Sequence, residues 1–92
     1  MPFVATNPTT GVLIATYPSL DAAGIEAVLQ RSTDAFAQWR STSFAERALL
    51  MTRAAELLEG EVPVIAEMMT REMGKTFAAA KGEVAKCAMT MR

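Results

Sequence analysis

Thr70-Arg71-Glu72-Met73-Gly74-Lys75-Thr76 joins two apolar helical patterns, and how it reads decides what the rest of the chain becomes. The Gly74-Lys75-Thr76 triplet has the ending of a phosphate-binding loop. Such a loop needs Gly-x-x-x-x-Gly-Lys-Ser/Thr after a strand, so that backbone N–H groups can wrap the phosphates. The first glycine would fall at Met69, and Ile65-Ala66-Glu67-Met68-Met69 reads as a helix face. A nucleotide loop is thereby excluded. Gly74 instead reads as the residue that closes one helix in left-handed geometry, free of a Cβ penalty. Thr76 then reads as the N-cap of the next.

Working backward, Val62-Pro63 opens the helix that ends at Gly74, since proline is tolerated in a first turn. Val64, Ile65, Met68, Met69 and Met73 give it an apolar face. Before it, Ser43-Phe44-Ala45-Glu46 is a capping box, the strongest local signal in the chain. Its helix has an apolar stripe through Ala45, Leu49, Leu50, Arg53 or Ala54, Leu57 and Leu58, and Gly60 breaks it. Whether the segment from 62 to 73 kinks off that helix or stands alone is open at this level. An earlier helix runs from about Leu20 to Trp39, with Ser19 or Asp21 as its cap. Ile25, Val28, Leu29, Ser32, Phe36 and Trp39 form one face of it, at steps of 3, 1, 3, 4 and 3. Phe36 and Trp39 are expected in the core rather than as an open aromatic platform.

The first residues are extended. Phe3-Val4-Ala5-Thr6 and Val12-Leu13-Ile14-Ala15-Thr16-Tyr17 suit strands, and Asn7-Pro8-Thr9-Thr10-Gly11 between them is turn chemistry. A hairpin over residues 3–18 and helices over residues 19–92 follow. Downstream of Gly74, a last helix from about Thr76 carries Phe77, Ala80, Val84, Cys87, Ala88 and Met91 on one face. Its period is still running at Arg92, which reads as a truncated helix.

Composition narrows the function classes. Ninety-two residues fit at most one domain, and 51% hydrophobic content is high for a core of that size. Net charge is −1 with both signs mixed along the chain, which gives no footprint for nucleic acid or an anionic membrane. No apolar run reaches the length of a membrane span, and no secretory leader opens the chain. There is no histidine, so the commonest general base and metal ligand is missing. Cys87 is the one cysteine; it fits a reducing, cytoplasmic setting and reads as an inert buried thiol on a helix face. Glu67 and Glu72, and the trio Glu56, Glu59 and Glu61, read as solvated faces rather than a metal cage. Glu72 and Lys75 are expected either to pair across Gly74 or to leave Glu72 capping the next helix. Five of seven methionines follow residue 67 and read as gap-fillers, some facing parts outside this chain.

Taken in order, these words resemble one family. Asn7-Pro8-x-x-Gly11, Ala35-Phe36-x-x-Trp39, Arg47 with Leu50, Glu72-Met73-Gly74-Lys75 and Glu83-Val84 match the N-terminal region of aldehyde dehydrogenases. The wording of Arg71–Lys75 is most similar to the succinate-semialdehyde branch. The resemblance implies an α/β parent with a Rossmann-type NAD(P)-binding domain, of which residues 1–92 are the N-terminal, truncated part. It also implies oxidation of an aldehyde to an acid by a nucleophilic cysteine, a base glutamate and an oxyanion-hole asparagine, with NAD or NADP as acceptor. All of these lie downstream in the family. No catalytic, cofactor-binding or metal residue is expected within residues 1–92, and Cys87 is not the family's nucleophile. The implied partners are the remainder of the dehydrogenase polypeptide and, for the parent, further copies in a homo-oligomer. A free-standing helical interaction module is the competing reading, and it predicts a complete core.

Overall fold

The computed structural model describes all 92 residues, as an antiparallel hairpin followed by four helices: β1 (Phe3–Thr6), β2 (Leu13–Tyr17), α1 (Ala22–Trp39), α2 (Phe44–Gly60), α3 (Val62–Met73) and α4 (Phe77–Thr90). The two strands pair Phe3 with Tyr17, Val4 with Thr16 and Ala5 with Ala15, and the register then slips so that Thr6 faces Leu13. Asn7 builds the turn. Its Oδ1 accepts from the backbone N–H of Thr9 at 2.9 Å and of Thr10 at 3.3 Å. Gly11 closes the turn at φ 74°, in the region that favours glycine.

Each helix starts on a side chain that takes an orphan N–H, α3 excepted. Asp21 caps α1 through the Gly24 N–H at 2.7 Å. Ser19, the other candidate, donates to the Met1 carbonyl instead. At α2 both halves of the capping box form: Glu46 N–H donates to Ser43 Oγ at 3.1 Å, and Ser43 N–H to Glu46 Oε2 at 2.6 Å. Gly60 is still helical, and the break falls one residue later at Glu61, so α3 is a separate helix with Pro63 in its first turn. Gly74 ends α3 at φ 73°. A Cβ there would stand 3.2 Å from Pro8 Cγ, so the hairpin turn leans on this glycine as well. Thr76 caps α4 through the Ala79 N–H. That helix stops at Thr90, with the Met91 N–H returned to the Cys87 and Met89 carbonyls.

Packing is confined to a narrow seam. The buried residues are Ala55, Ala66, Ala80, Val84 and Ala88, four of them alanines. Small side chains let the helix backbones approach closely, and the substantial helix contacts are α3 on α4 and α2 on α4. Leu58, Val62, Ile65 and Met69 lie half-buried around Ala66, Ala80 and Val84.

Three expectations about faces are corrected here. The α1 stripe of Ile25, Val28, Leu29, Phe36 and Trp39 is exposed, with Phe36 at 60%, because no other element packs substantially against it. On α2 the seam runs through Ala55 and Leu58, while Leu49, Leu50 and Leu57 point outward, Leu49 at 73%. On α3 the inner side is Ile65, Ala66 and Met69, leaving Val64, Met68 and Met73 exposed. The molecule measures 47 × 37 × 14 Å, and a helix with its side chains is about 10–12 Å across. It is one layer thick.

Candidate functional site

Chemistry would need a nucleophile beside a base, a set of convergent ligands, or a cradle of backbone donors. The chain has three places to look for these. The first is the α3–α4 turn. The expected pairing of Lys75 with Glu72 across Gly74 does not form; Lys75 pairs instead with Glu83, two turns into α4. The turn thus lies between the Lys75–Glu83 ion pair on one side and Pro8 on the other. Glu72 is half-buried and makes no hydrogen bond to the next helix, whose start belongs to Thr76. Nearby, Ile14 and Tyr17 of the hairpin face Val64, Glu67, Met68, Arg71 and Glu72 of α3 across an open groove.

The second place is Cys87. The buried-thiol expectation is overturned: Cys87 is exposed, in a shallow groove with Glu83, Lys86, Thr90 and Met91. The seam of α4 is the strict i, i+4, i+8 row of Ala80, Val84 and Ala88, so Cys87 falls on its flank. No histidine exists to take its proton, and no carboxylate is hydrogen-bonded to it. Exposure alone makes it accessible and does not make it a catalyst.

The third place is the elbow between α1 and α2, where the aromatic residues gather. Arg47 lies over the Trp39 ring, 5.2 Å from its centroid, and over the Phe44 ring at 5.8 Å. Its Nε donates to Thr42 Oγ1 at 2.8 Å and its Nη2 to the Trp39 carbonyl at 3.0 Å. Arg40 sits over Phe36 at 5.8 Å. All three rings, Phe36, Trp39 and Phe44, therefore each already have a guanidinium over them. Sequence reading placed the rings in a core and missed this cluster. The available signal was an arginine eight residues after the only tryptophan, across a Ser-Thr-Ser turn.

The carboxylates are dispersed along the helices. Glu56 pairs with Arg53 at 3.2 Å and Glu59 with Arg92 at 2.9 Å. No three of the Cys, Asp and Glu side chains come together as a metal set. The hydrogen bond from Arg92 to Glu59 raises the guanidinium above its ordinary value, and the Glu59 charge adds to this. Hydrogen bonds from Ser43, its backbone N–H foremost, hold the Glu46 carboxyl below the usual carboxylate range. Both shifts come from pairs that hold elements in place.

The comparisons with known proteins match the whole chain. A model described as "Aldehyde dehydrogenase family" covers residues 2–92. The NADP(+) succinate-semialdehyde dehydrogenase 1 of Mycobacterium tuberculosis H37Rv is 45% identical over 92 residues, which is 100% of this chain and 20% of that protein. The NADP(+) succinate-semialdehyde dehydrogenase of Deinococcus radiodurans is 42% identical over 87 residues, 95% of this chain and 18% of that one. Among solved structures, an aldehyde dehydrogenase from Brucella melitensis biovar abortus 2308 superposes with a TM-score of 0.91 at 34% identity, over 99% of this chain and 19% of its own. An NADP-dependent glyceraldehyde-3-phosphate dehydrogenase from Bacillus halodurans C-125, complexed with NADP, gives 0.90 at 28% identity, over 97% and 19%. The chain spans about a fifth of the length of the curated relatives it matches.

Proposed function

This chain belongs to the aldehyde dehydrogenase family, and on that premise we propose that residues 1–92 are the N-terminal part of the coenzyme-binding domain of an NADP-dependent succinate-semialdehyde dehydrogenase. The reaction is oxidation of the aldehyde by NADP(+) and water to succinate, NADPH and two protons. The observation that carries the reading is the identity of 45% with a succinate-semialdehyde dehydrogenase, running through the whole chain rather than through one motif.

The residues present do not fit the cofactor. A dinucleotide needs a glycine turn between a strand and a helix. The positive-φ glycines are Gly11, in the hairpin, and Gly74, between two helices with Pro8 against it. No step of the reaction is therefore assigned to residues 1–92. Their contribution is a layer for the catalytic part to pack on, with apolar faces of α1, α2 and α3 turned outward for it. The reducing setting expected for a free thiol suits a cytoplasmic enzyme. A free-standing interaction module would carry its own core, and five buried residues, none of them large, do not make one.

The test is direct. The whole polypeptide should form NADPH from NADP(+) and succinate semialdehyde, and residues 1–92 alone should form none. Absence of turnover by the whole polypeptide with any aldehyde and either nucleotide would sink the enzyme reading. Turnover by residues 1–92 that is lost in Cys87→Ser would instead make Cys87 the nucleophile.

A further inference from the structure

We propose that Arg47 of α2 is the C-terminal cap of α1, supplied across the elbow, and that it fixes the direction in which α1 leaves the rest of the layer. The last turn of a helix presents carbonyls without intrahelical donors and the negative end of its dipole. The last turn of α1 contains no basic residue of its own. Three donors converge on its final carbonyl, that of Trp39: the Thr42 N–H at 3.0 Å, the Thr42 hydroxyl at 2.7 Å and Arg47 Nη2 at 3.0 Å. Arg47 Nε in turn donates to Thr42 Oγ1 at 2.8 Å, so one planar guanidinium holds both the helix end and the turn that follows it. Its Cζ lies over the Trp39 and Phe44 rings, one from each helix, at 5.2 and 5.8 Å from their centroids.

The position of Arg47 argues the same way. It stands in the opening turn of α2, next to the capping box, where a cation opposes the dipole of its own helix. Its side-chain hydrogen bonds are all with the end of α1 and the elbow. Within residues 1–92, and apart from the chain itself, little else ties α1 down, because it has no substantial packing on any other element there. No other α2 side chain donates a hydrogen bond to an α1 residue. A forked donor is required at this place. A lysine ammonium could reach one acceptor but would not bridge two in one plane while stacked on the rings.

Hydrogen exchange, followed peptide by peptide on the whole polypeptide, tests this. Arg47→Lys and Arg47→Met should each raise exchange over residues 37–43 by about tenfold and leave residues 62–90 unchanged, since local opening is read separately from global unfolding. Thr42→Val removes the Nε acceptor while keeping Arg47, and it should raise exchange over the same residues. Wild-type protection in Arg47→Lys would overturn the forked tie in favour of simple charge at the helix end. A rise confined to residues 44–52 would make Arg47 a residue of α2 alone. A rise spread equally over residues 62–90, or none in Thr42→Val, would also overturn the proposal.

Discussion

Ser43 and Glu46 exchange hydrogen bonds at the head of α2, and the sequence announced them because a capping box is local: its partners are three residues apart. Gly74 was legible for the same reason, since a helix stop and a left-handed backbone depend on neighbours in the chain. Cys87 and Lys75 were not. Whether Cys87 is buried depends on which neighbours α4 meets, and the partner of Lys75 is a carboxylate eight residues away rather than three. Ser43→Ala should lower stability by about 0.5–2 kcal/mol in the whole polypeptide. An unchanged denaturation midpoint would show that α2 draws nothing from its cap. The Glu46 carboxyl, lowered first by the Ser43 backbone N–H and then by its side chain, adds a pH dependence. A folded-state value below the unfolded one contributes stability above about pH 4.3, lost as pH falls through the folded value. The lead of wild type over Glu46→Gln should therefore shrink on acidification below about pH 4. A lead that stays constant would mean the charge is not what the cap uses.

At the scale of the element, the hairpin and the helices all lie close to where propensity, capping and turn residues put them, and α3 proved separate because Glu61 leaves helical geometry at φ −115° and ψ 13°. Which face of each helix packs was harder to read. An apolar stripe marks a face to be covered without saying by what, and α2 is apolar on two sides: Leu49, Leu50 and Leu57 on one, Ala55 and Leu58 on the other. The side with Ala55 and Leu58 packs inside this chain because α4 offers Ala80, Val84 and Ala88, which admit close backbones. Leu49, Leu50 and Leu57 are left outside. The seam should then be intolerant of volume. Ala80→Leu, at a site with no exposure, should destabilise by about 1–3 kcal/mol or more, because α3 would have to move off α4. Ala79→Leu, one position away and exposed, should cost little. Equal denaturation midpoints for the two variants would show that the seam is loose.

The whole molecule makes the outward leucines intelligible. A compact protein of 9.9 kDa exposes about 5,200 Å², whereas this chain exposes 7221 Å², an excess of about 2,000 Å². Its radius of gyration is 17.3 Å against about 12 Å for a compact domain of this length. Helices bury their stripes by meeting a second layer, and a slab 14 Å thick has only one. If about half of the excess is apolar, at about 25 cal/mol per Å² the burial forgone is about 25 kcal/mol. That exceeds the about 5–15 kcal/mol that holds an ordinary domain together, even after a discount for compact unfolded chains. Residues 1–92 alone should therefore not hold this shape as a monomer. They should bind a dye for exposed apolar surface, unfold without a sharp transition, and sediment as mixed or larger species as concentration rises. Adding the remainder of the polypeptide should suppress dye binding and restore cooperativity. If the isolated chain instead melts sharply as a monodisperse monomer and binds no dye, the outward faces need no cover, and the interaction module would replace the dehydrogenase layer as the better reading.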